Sequence, residues 1–263
     1  MGLMAELTAD LRAETEALER VLGGLTDEQW ELATPADGWA VRDQVSHLAW
    51  FDDAAALAVR EPAAFRAQTL LVGEGTVDDI AAESRGMSVP DLRAWFERAR
   101  EGSLVAFAGL QGKERLPWYG PDMSAVSFVT ARLMETWAHG QDVADAAGVT
   151  REPTARLRHV AQIGVRALPY SFLVNGLEVP REPVRVELEL PDGTPWSAGP
   201  EGAADVVRGS VLGFCLAVTQ RAHLADTDLR VEGQVARAWM AIAQAFAGPP
   251  GKGRAPSGKT RMI

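Results

Sequence analysis

Glu135 and His139 lie four residues apart in the stretch SAVSFVTARLMETWAHGQDVADAAG, residues 124–148. On a helix that offset is about 40° around the axis, so the carboxylate and the imidazole project from one face. Such a pair can grip a single divalent cation, with the backbone fixing their separation. Ions of the zinc and iron group take imidazole nitrogen and carboxylate oxygen, and a catalytic site keeps a position open for water or substrate. The third ligand has to come from a neighbouring element. Of the four histidines, His47, in VRDQVSHLAWFDDA, is best placed to supply it, because His159 and His223 fall in or near the C-terminal part. Asp142 follows His139 by about one turn and could orient a ligand from behind or act as an extra carboxylate. Trp118 and Tyr119, in the loop before this helix, are placed to line the mouth of such a site; ordinary loop packing is the alternative. Spacing alone leaves a structural reading open too: a Glu-xxx-His pair is common on solvated helix surfaces, and a lone histidine is often a hydrogen-bonded core residue.

The elements that must hold these side chains read as helices. Val126, Val129, Leu133, Trp137 and Val143 recur at helical spacing, with Asp122 or Ser124 as the start signal and Gly148 as the stop. Leu7, Leu11, Leu18 and Val21 predict a first helix over about 3–23, and Thr26 caps a short turn reaching Trp30. TPADGWAV is a loop that leads into a second helix over 41–59, which carries His47. Pro62, Gly73 and Gly75 break the next region into pieces, and Ser88 starts a third long helix that ends near Gly109. Four long helices in the first 148 residues predict a bundle able to hold a metal between its inner faces. Past Gly148 the texture changes. A capping sequence at 150–153 predicts a helix ending near Tyr170, VRVELEL alternates as a strand, TPWSAGP reads as its return, and 203–220 reads as helix. A short strand within 229–235 and a last helix over 236–247 follow. The expected organisation is a bundle over 1–148, a smaller α+β domain over 149–248 and a disordered tail over 249–263.

Composition narrows the function classes. A net charge of −10 argues against general nucleic-acid binding, which needs a basic surface. No run of 18 or more apolar residues is present and the first residues carry no secretory pattern, so neither a membrane span nor export is expected. A single cysteine, Cys215, excludes an internal disulfide and agrees with a reducing cytoplasm. Its apolar setting, GFCLAV, marks it as a small core residue. GRAPSGKT near the end formally matches a phosphate loop, but too little chain follows it to form the helix that such a loop opens.

Two phrases, TPADGWAVRDQVSHLAWFD and FVTARLMETWAHGQDVADAAG, resemble the DinB-type four-helix bundle in the branch that contains mycothiol-dependent maleylpyruvate isomerase. The resemblance implies a histidine ligand in the first phrase and a Glu-xxx-His pair in the second, at His47, Glu135 and His139. The segment GSVLGFCLAVTQRAHLADTDLRVEG resembles the domain that follows the bundle in that family. There an arginine after an apolar helix approaches the active site, and Arg221 matches it; the usual Gly-Arg pair is here Gln220-Arg221. The resemblance further implies a divalent metal, zinc first with nickel or iron as alternatives, and mycothiol as thiol cosubstrate toward a small-molecule substrate. Two other readings keep the same ligands: non-heme-iron oxygen chemistry, and a non-catalytic metal-binding protein. A monomer and a homodimer fit equally well.

Overall fold

The computed structural model describes residues 2–71, 77–82 and 84–258. The chain divides into two compact units, Met1–Arg151 and Glu152–Ile263. Among the described residues, no helix is long and apolar enough to cross a membrane.

In the first unit, helix α1 spans Leu3–Gly23, and a 3-10 turn over Asp27–Glu31 follows it, with Thr26 at its N-cap. Helix α2, Val41–Arg60, is the central rod. Asp43 Oδ2 accepts the Ala40 amide at 2.8 Å and so satisfies one of the donors left open at the helix start. Two short helices come next, α3 (Pro62–Leu71) and α4 (Val77–Ala82); Gly73 and Gly75 lie outside the described residues. Helix α5, Val89–Phe107, starts where the Ser88 hydroxyl accepts the Asp91 amide. A two-residue antiparallel ribbon, β1 (Arg115–Leu116) and β2 (Met123–Ser124), closes the loop before α6, Ala125–Ala147. Ser124 caps α6 by accepting the Ser127 amide, and Gly148 ends it at φ 67°, where a side chain would be strained.

Helix α2 packs on both α5 and α6, and α1 packs on α6. Leu18, Trp30, Val45, Leu48, Phe96 and Val143 meet in the core they form. A buried ionic knot crosses the bundle below this apolar layer. Asp52 of α2 accepts from Arg100 of α5 at 2.6 Å and from Arg132 of α6 at 3.0 Å. Arg100 also donates to Thr15 of α1 at 2.7 Å and to Thr136 of α6 at 2.9 Å. One cluster thus touches all four long helices. Burial pulls the Arg100 guanidinium below its ordinary range, and the Asp52 charge works against that shift.

In the second unit, α7 (Leu157–Arg166) and α8 (Leu168–Val174) replace the single helix expected up to Tyr170. Pro153 keeps the chain extended before α7. Pro169 has no N–H to give, so the helical ladder is interrupted at Ala167. Strands β3 (Val184–Glu189), β4 (Pro195–Ala198), β5 (Asp205–Ser210) and β6 (Arg230–Glu232) form a sheet in the order β4-β3-β5-β6. The helix expected over 203–220 is a correction. Its first part is β5, parallel to β3 with Val186 opposite Val207, and only Val211–Val218 is helical, as α9. The run DVVRGSVLGFCLAV is apolar without clear period. β5 is central and buried through Val206 and Val207, so it lacks the alternation that identifies a one-sided strand. The last helix, α10, spans Gln234–Ile242. Cys215 is buried in α9; burial pushes its thiol well above the usual range, as a core residue requires. Through Ser257 the segment after Gly248 is hydrogen-bonded within this unit. Gly251 donates to Gln244 at 2.8 Å, Gly253 to Gln220 at 3.1 Å and Ser257 to Asp226 at 2.8 Å. Residues 259–263 lie outside the described residues.

Candidate metal centre

His47 projects from the middle of α2, and Glu135 and His139 from successive turns of α6. The packing of α2 on α6 brings the three together. His139 Nε2 lies 3.0 Å from Glu135 Oε2, and His47 Nε2 lies 3.7 Å from the same oxygen. The two imidazole centroids are 4.3 Å apart. One ligand atom from each residue falls within 4.8 Å of the others. Ligands of a tetrahedral ion with bonds near 2 Å are separated by about 3.3 Å, so the observed spacings fit a cation of that size. Both histidines are buried, whereas Glu135 is half-buried, so the open side of the site lies toward its carboxylate.

The electrostatics favour the same use. Burial alone would raise the Glu135 carboxyl, but its contacts with the imidazoles of His139 and His47 outweigh that and hold it well below the usual carboxylate range. Burial, aided by the charge of His139, pushes His47 down to about 4. At neutral pH the centre therefore presents an ionised carboxylate and a neutral imidazole at His47, the protonation states that a metal requires.

The two histidines are oriented differently. Nδ1 of His139 donates to the side-chain oxygen of Gln44, leaving Nε2 free to face Glu135. Gln44 is itself fixed, donating to Thr34 Oγ1 at 2.8 Å, and Thr34 donates to Trp39 O at 2.9 Å. Nδ1 of His47 is buried without a hydrogen-bond partner. Its ring is held by packing instead, 5.3 Å from Trp39 and 4.6 Å from Phe51. Trp39 also stacks on His139 at 5.9 Å, and its indole N–H donates to Asp78 at 2.7 Å. Sequence reasoning places Phe51 on the His47 surface of the second helix but does not single out Gln44 or Trp39. The phrase TPADGWAVRDQVSHLAWFD contains both, but no pattern in it distinguishes them from packing residues.

A family model described as the mycothiol maleylpyruvate isomerase N-terminal domain matches residues 11–144, about half of the chain. The chain belongs to the mycothiol maleylpyruvate isomerase family. An uncharacterized protein of Mycobacterium tuberculosis, found in two strains, is 45% identical over 249 residues, covering 94% of this chain and 97% of its own. The fold is that of the crystal structure of the mycothiol-dependent maleylpyruvate isomerase. The TM-score is 0.60 at 19% identity, over 84% of this chain and 90% of that one. A histidine-to-alanine mutant of that enzyme gives a TM-score of 0.57, also at 19% identity and with the same coverage of both chains.

The remaining expected site residues of this family member lie as follows. Trp118 and Tyr119 occupy the loop after β1, with ring centroids 6.0 Å and 5.8 Å from Phe51, the ring that packs on His47. Trp118 also stacks on Phe65 at 5.6 Å and is tied into the apolar core, whereas Tyr119 is exposed and stacks on Trp50 at 6.0 Å. Burial of part of the Tyr119 ring pushes its phenol up to about 12, so it is protonated at neutral pH. Asp142 is buried on α6, one turn beyond His139; the partner of His139 Nδ1 is Gln44 and not Asp142. Arg221 belongs to the second unit and follows α9, where its guanidinium donates to Thr219 O at 2.8 Å. The preceding Gln220 has φ 59°. Gln220 N–H bonds Ala217 O and Arg221 N–H bonds Leu216 O at 2.8 Å, the Schellman pattern of a helix end. The position before Arg221 is therefore left-handed, a conformation that glycine adopts most readily.

Proposed function

We propose that the chain is a metal-dependent enzyme that uses mycothiol in thiol transfer to, or isomerisation of, a small electrophilic substrate, with His47, Glu135 and His139 as the metal ligands. The observation that carries this reading is the convergence of two imidazole nitrogens on one carboxylate oxygen at 3.0 Å and 3.7 Å, in a family defined by mycothiol-dependent isomerisation. Zinc fits this donor set first, with nickel and iron as alternatives. When bound, the ion would supply Lewis acidity that stabilises a coordinated thiol as its thiolate.

The chain's own residues do the rest. Gln44 holds a proton of His139 on Nδ1, so that Nε2 is the nitrogen turned toward Glu135 and the one that would meet an ion. Glu135 stays ionised and supplies the one negative charge. Trp39 and Phe51 pack against the ligands and exclude water from their inner side. Tyr119 presents a protonated phenol beside Phe51 and Trp50, and with Trp118 it forms an aromatic wall against which a flat substrate can rest. Asp142, buried a turn beyond His139, backs the same face of α6. Arg221 is assigned, on the family resemblance, to pair with a substrate carboxylate. No cysteine of the chain is needed as nucleophile, in keeping with the buried Cys215.

The test is direct. Zinc-loaded protein is titrated by calorimetry with mycothiol and, separately, with glutathione. Mycothiol is expected to bind at one per metal and glutathione far more weakly. Binding of neither thiol to protein that carries one metal per chain rejects the thiol-dependent reading. Metal analysis of protein from its native host separates zinc chemistry from the iron-dependent alternative, which the same donors would serve.

A further inference from the structure

His47 is the one ligand without a hydrogen bond to orient it: Nδ1 is buried and unpartnered, while the corresponding nitrogen of His139 is fixed by Gln44. Metal-bound histidines are almost always oriented through the second nitrogen, because a ring free to rotate loses affinity. Something else must therefore hold His47. Its closest ring contact, apart from His139 itself, is Phe51, one turn further along α2 at 4.6 Å. Phe51 in turn lies under the guanidinium of Arg132, whose Cζ is 5.9 Å from the ring centroid. Arg132 grips α2 at two further points. Its Nε and Nη2 both donate to Asp52 Oδ1, at 3.1 Å and 3.0 Å, and Nη2 also reaches Leu48 O, the carbonyl of the residue after His47, at 3.4 Å. Arg132 stands on α6 three residues before Glu135 and seven before His139, on the stripe that carries both of those ligands. It is nearly fully buried, and so is Asp52.

We infer that Arg132 is the positioning residue for His47: by clamping Phe51, Leu48 O and Asp52 from the helix that carries Glu135 and His139, it sets the distance and ring angle of the third ligand. This inference rests on the metal-site reading above. It goes beyond that reading because Arg132 is not a ligand and is not needed to complete the donor set. The route is specific. A fork donating to one carboxylate oxygen and one carbonyl, with its Cζ over an aromatic ring, is a geometry that lysine cannot reproduce, although lysine keeps the charge. Arg100 also remains on Asp52 when Arg132 is changed, so the carboxylate is not left without a partner.

The experiment compares wild type, Arg132→Lys, Phe51→Leu and the double variant. Affinity for zinc is measured by competition with a chromophoric chelator, the ligand field is read from the visible spectrum of bound cobalt, and unfolding of the metal-free forms reports the fold. Arg132→Lys is expected to remain folded, to bind zinc at least tenfold more weakly and to shift the cobalt spectrum. Phe51→Leu is expected to weaken binding by a similar factor, and the double variant by little more than either single change, because both act along one path. A folded Arg132→Lys with wild-type affinity and spectrum overturns the inference. So do single effects that simply multiply. Should Arg132→Lys fail to fold, Phe51→Leu decides alone, since it leaves the Asp52 knot in place: zinc affinity within twofold of wild type overturns the inference. Loss of the metal reading itself looks different, because there wild type fails to bind zinc, or His47→Ala retains it fully.

Discussion

Gln44 accepts the Nδ1 proton of His139 across the interface between α2 and α6, so one neutral amide from the helix of His47 sets the tautomer of a ligand on the other helix. The amide cannot flip freely, because its nitrogen is spent on Thr34 Oγ1 at 2.8 Å. Removing the amide frees the His139 ring to turn and its proton to sit on either nitrogen. Gln44→Ala is expected to lower zinc affinity about 10–100-fold, the usual cost of losing such a partner. Gln44→Glu, which keeps the acceptor, is expected to lose much less. Chelator competition on folded protein measures both, and equal affinities for wild type and Gln44→Ala would falsify the role.

The burial of neutral His47 has a pH signature. The folded-state value of about 4 lies below the ordinary 6.5, so between those limits the unfolded chain binds a proton that the folded chain does not. Stability of the metal-free protein therefore falls as pH drops from about 6.5 toward 4, and the His47 share of that loss stops growing below about 4. That shift corresponds to a few kcal/mol at most. His47→Gln, which cannot titrate, is expected to flatten the decline. Urea unfolding of chelator-treated wild type and variant at pH 7 and pH 5 measures the difference between them. A wild type that loses no more stability than His47→Gln over that interval removes the buried neutral imidazole from the account.

Much of the first unit is legible in the sequence because its signals are local. Ser88, Ser124 and Gly148 cap or stop helices through bonds to amides and carbonyls within a few residues, and α1 follows the stripe of Leu7, Leu11 and Leu18. Glu135 and His139 share a face by helical arithmetic alone. The parts that escape the sequence depend on distant partners. Gln44 meets His139 across 95 residues of chain, and Asp52, Arg100 and Arg132 read as ordinary charged helix positions until packing buries them against one another. Strand β5 escapes for a different reason. Its adjacent residues Val206 and Val207 point to opposite faces and both are buried, and without a polar face its short apolar run cannot be told from the helix that follows it.

Gln220 shows how a left-handed position is held by a residue with a side chain. Its φ of 59° costs a residue with a side chain about 1 kcal/mol relative to glycine. The side chain offsets this by donating to Ala243 O at 3.1 Å and accepting from Gly253 N at 3.1 Å, each net about 1 kcal/mol. The expected order of stability is wild type, then Gln220→Gly lower by about 1 kcal/mol, then Gln220→Ala lower by about 2 kcal/mol, because alanine keeps the strain and loses the bonds. Hydrogen exchange at the Gly253 amide should accelerate in both variants. A Gln220→Gly protein more stable than wild type, with Gly253 still protected, contradicts this balance.

The Asp52 knot makes the sharpest stability prediction, because a surface pair of similar length in the same unit serves as its control. Arg12 and Glu101 meet at 3.0 Å with half or more of each side chain exposed. Asp52 meets Arg132 at 3.0 Å and Arg100 at 2.6 Å with almost nothing exposed. Coulomb's law alone would rank these contacts alike, so the difference must come from solvation. Water and salt screen the exposed pair and rehydrate either partner once the other is removed, so Glu101→Ala should cost under about 1 kcal/mol. Water cannot reach Arg100 and Arg132. Asp52→Ala strands two guanidinium groups in the bundle core, and the expected cost is about 3–5 kcal/mol, enough to unfold a marginal domain. Denaturant unfolding of the two variants beside wild type measures the ratio. If Asp52→Ala costs no more than Glu101→Ala, the guanidinium groups have found other partners or water, and the knot is not what joins the four helices.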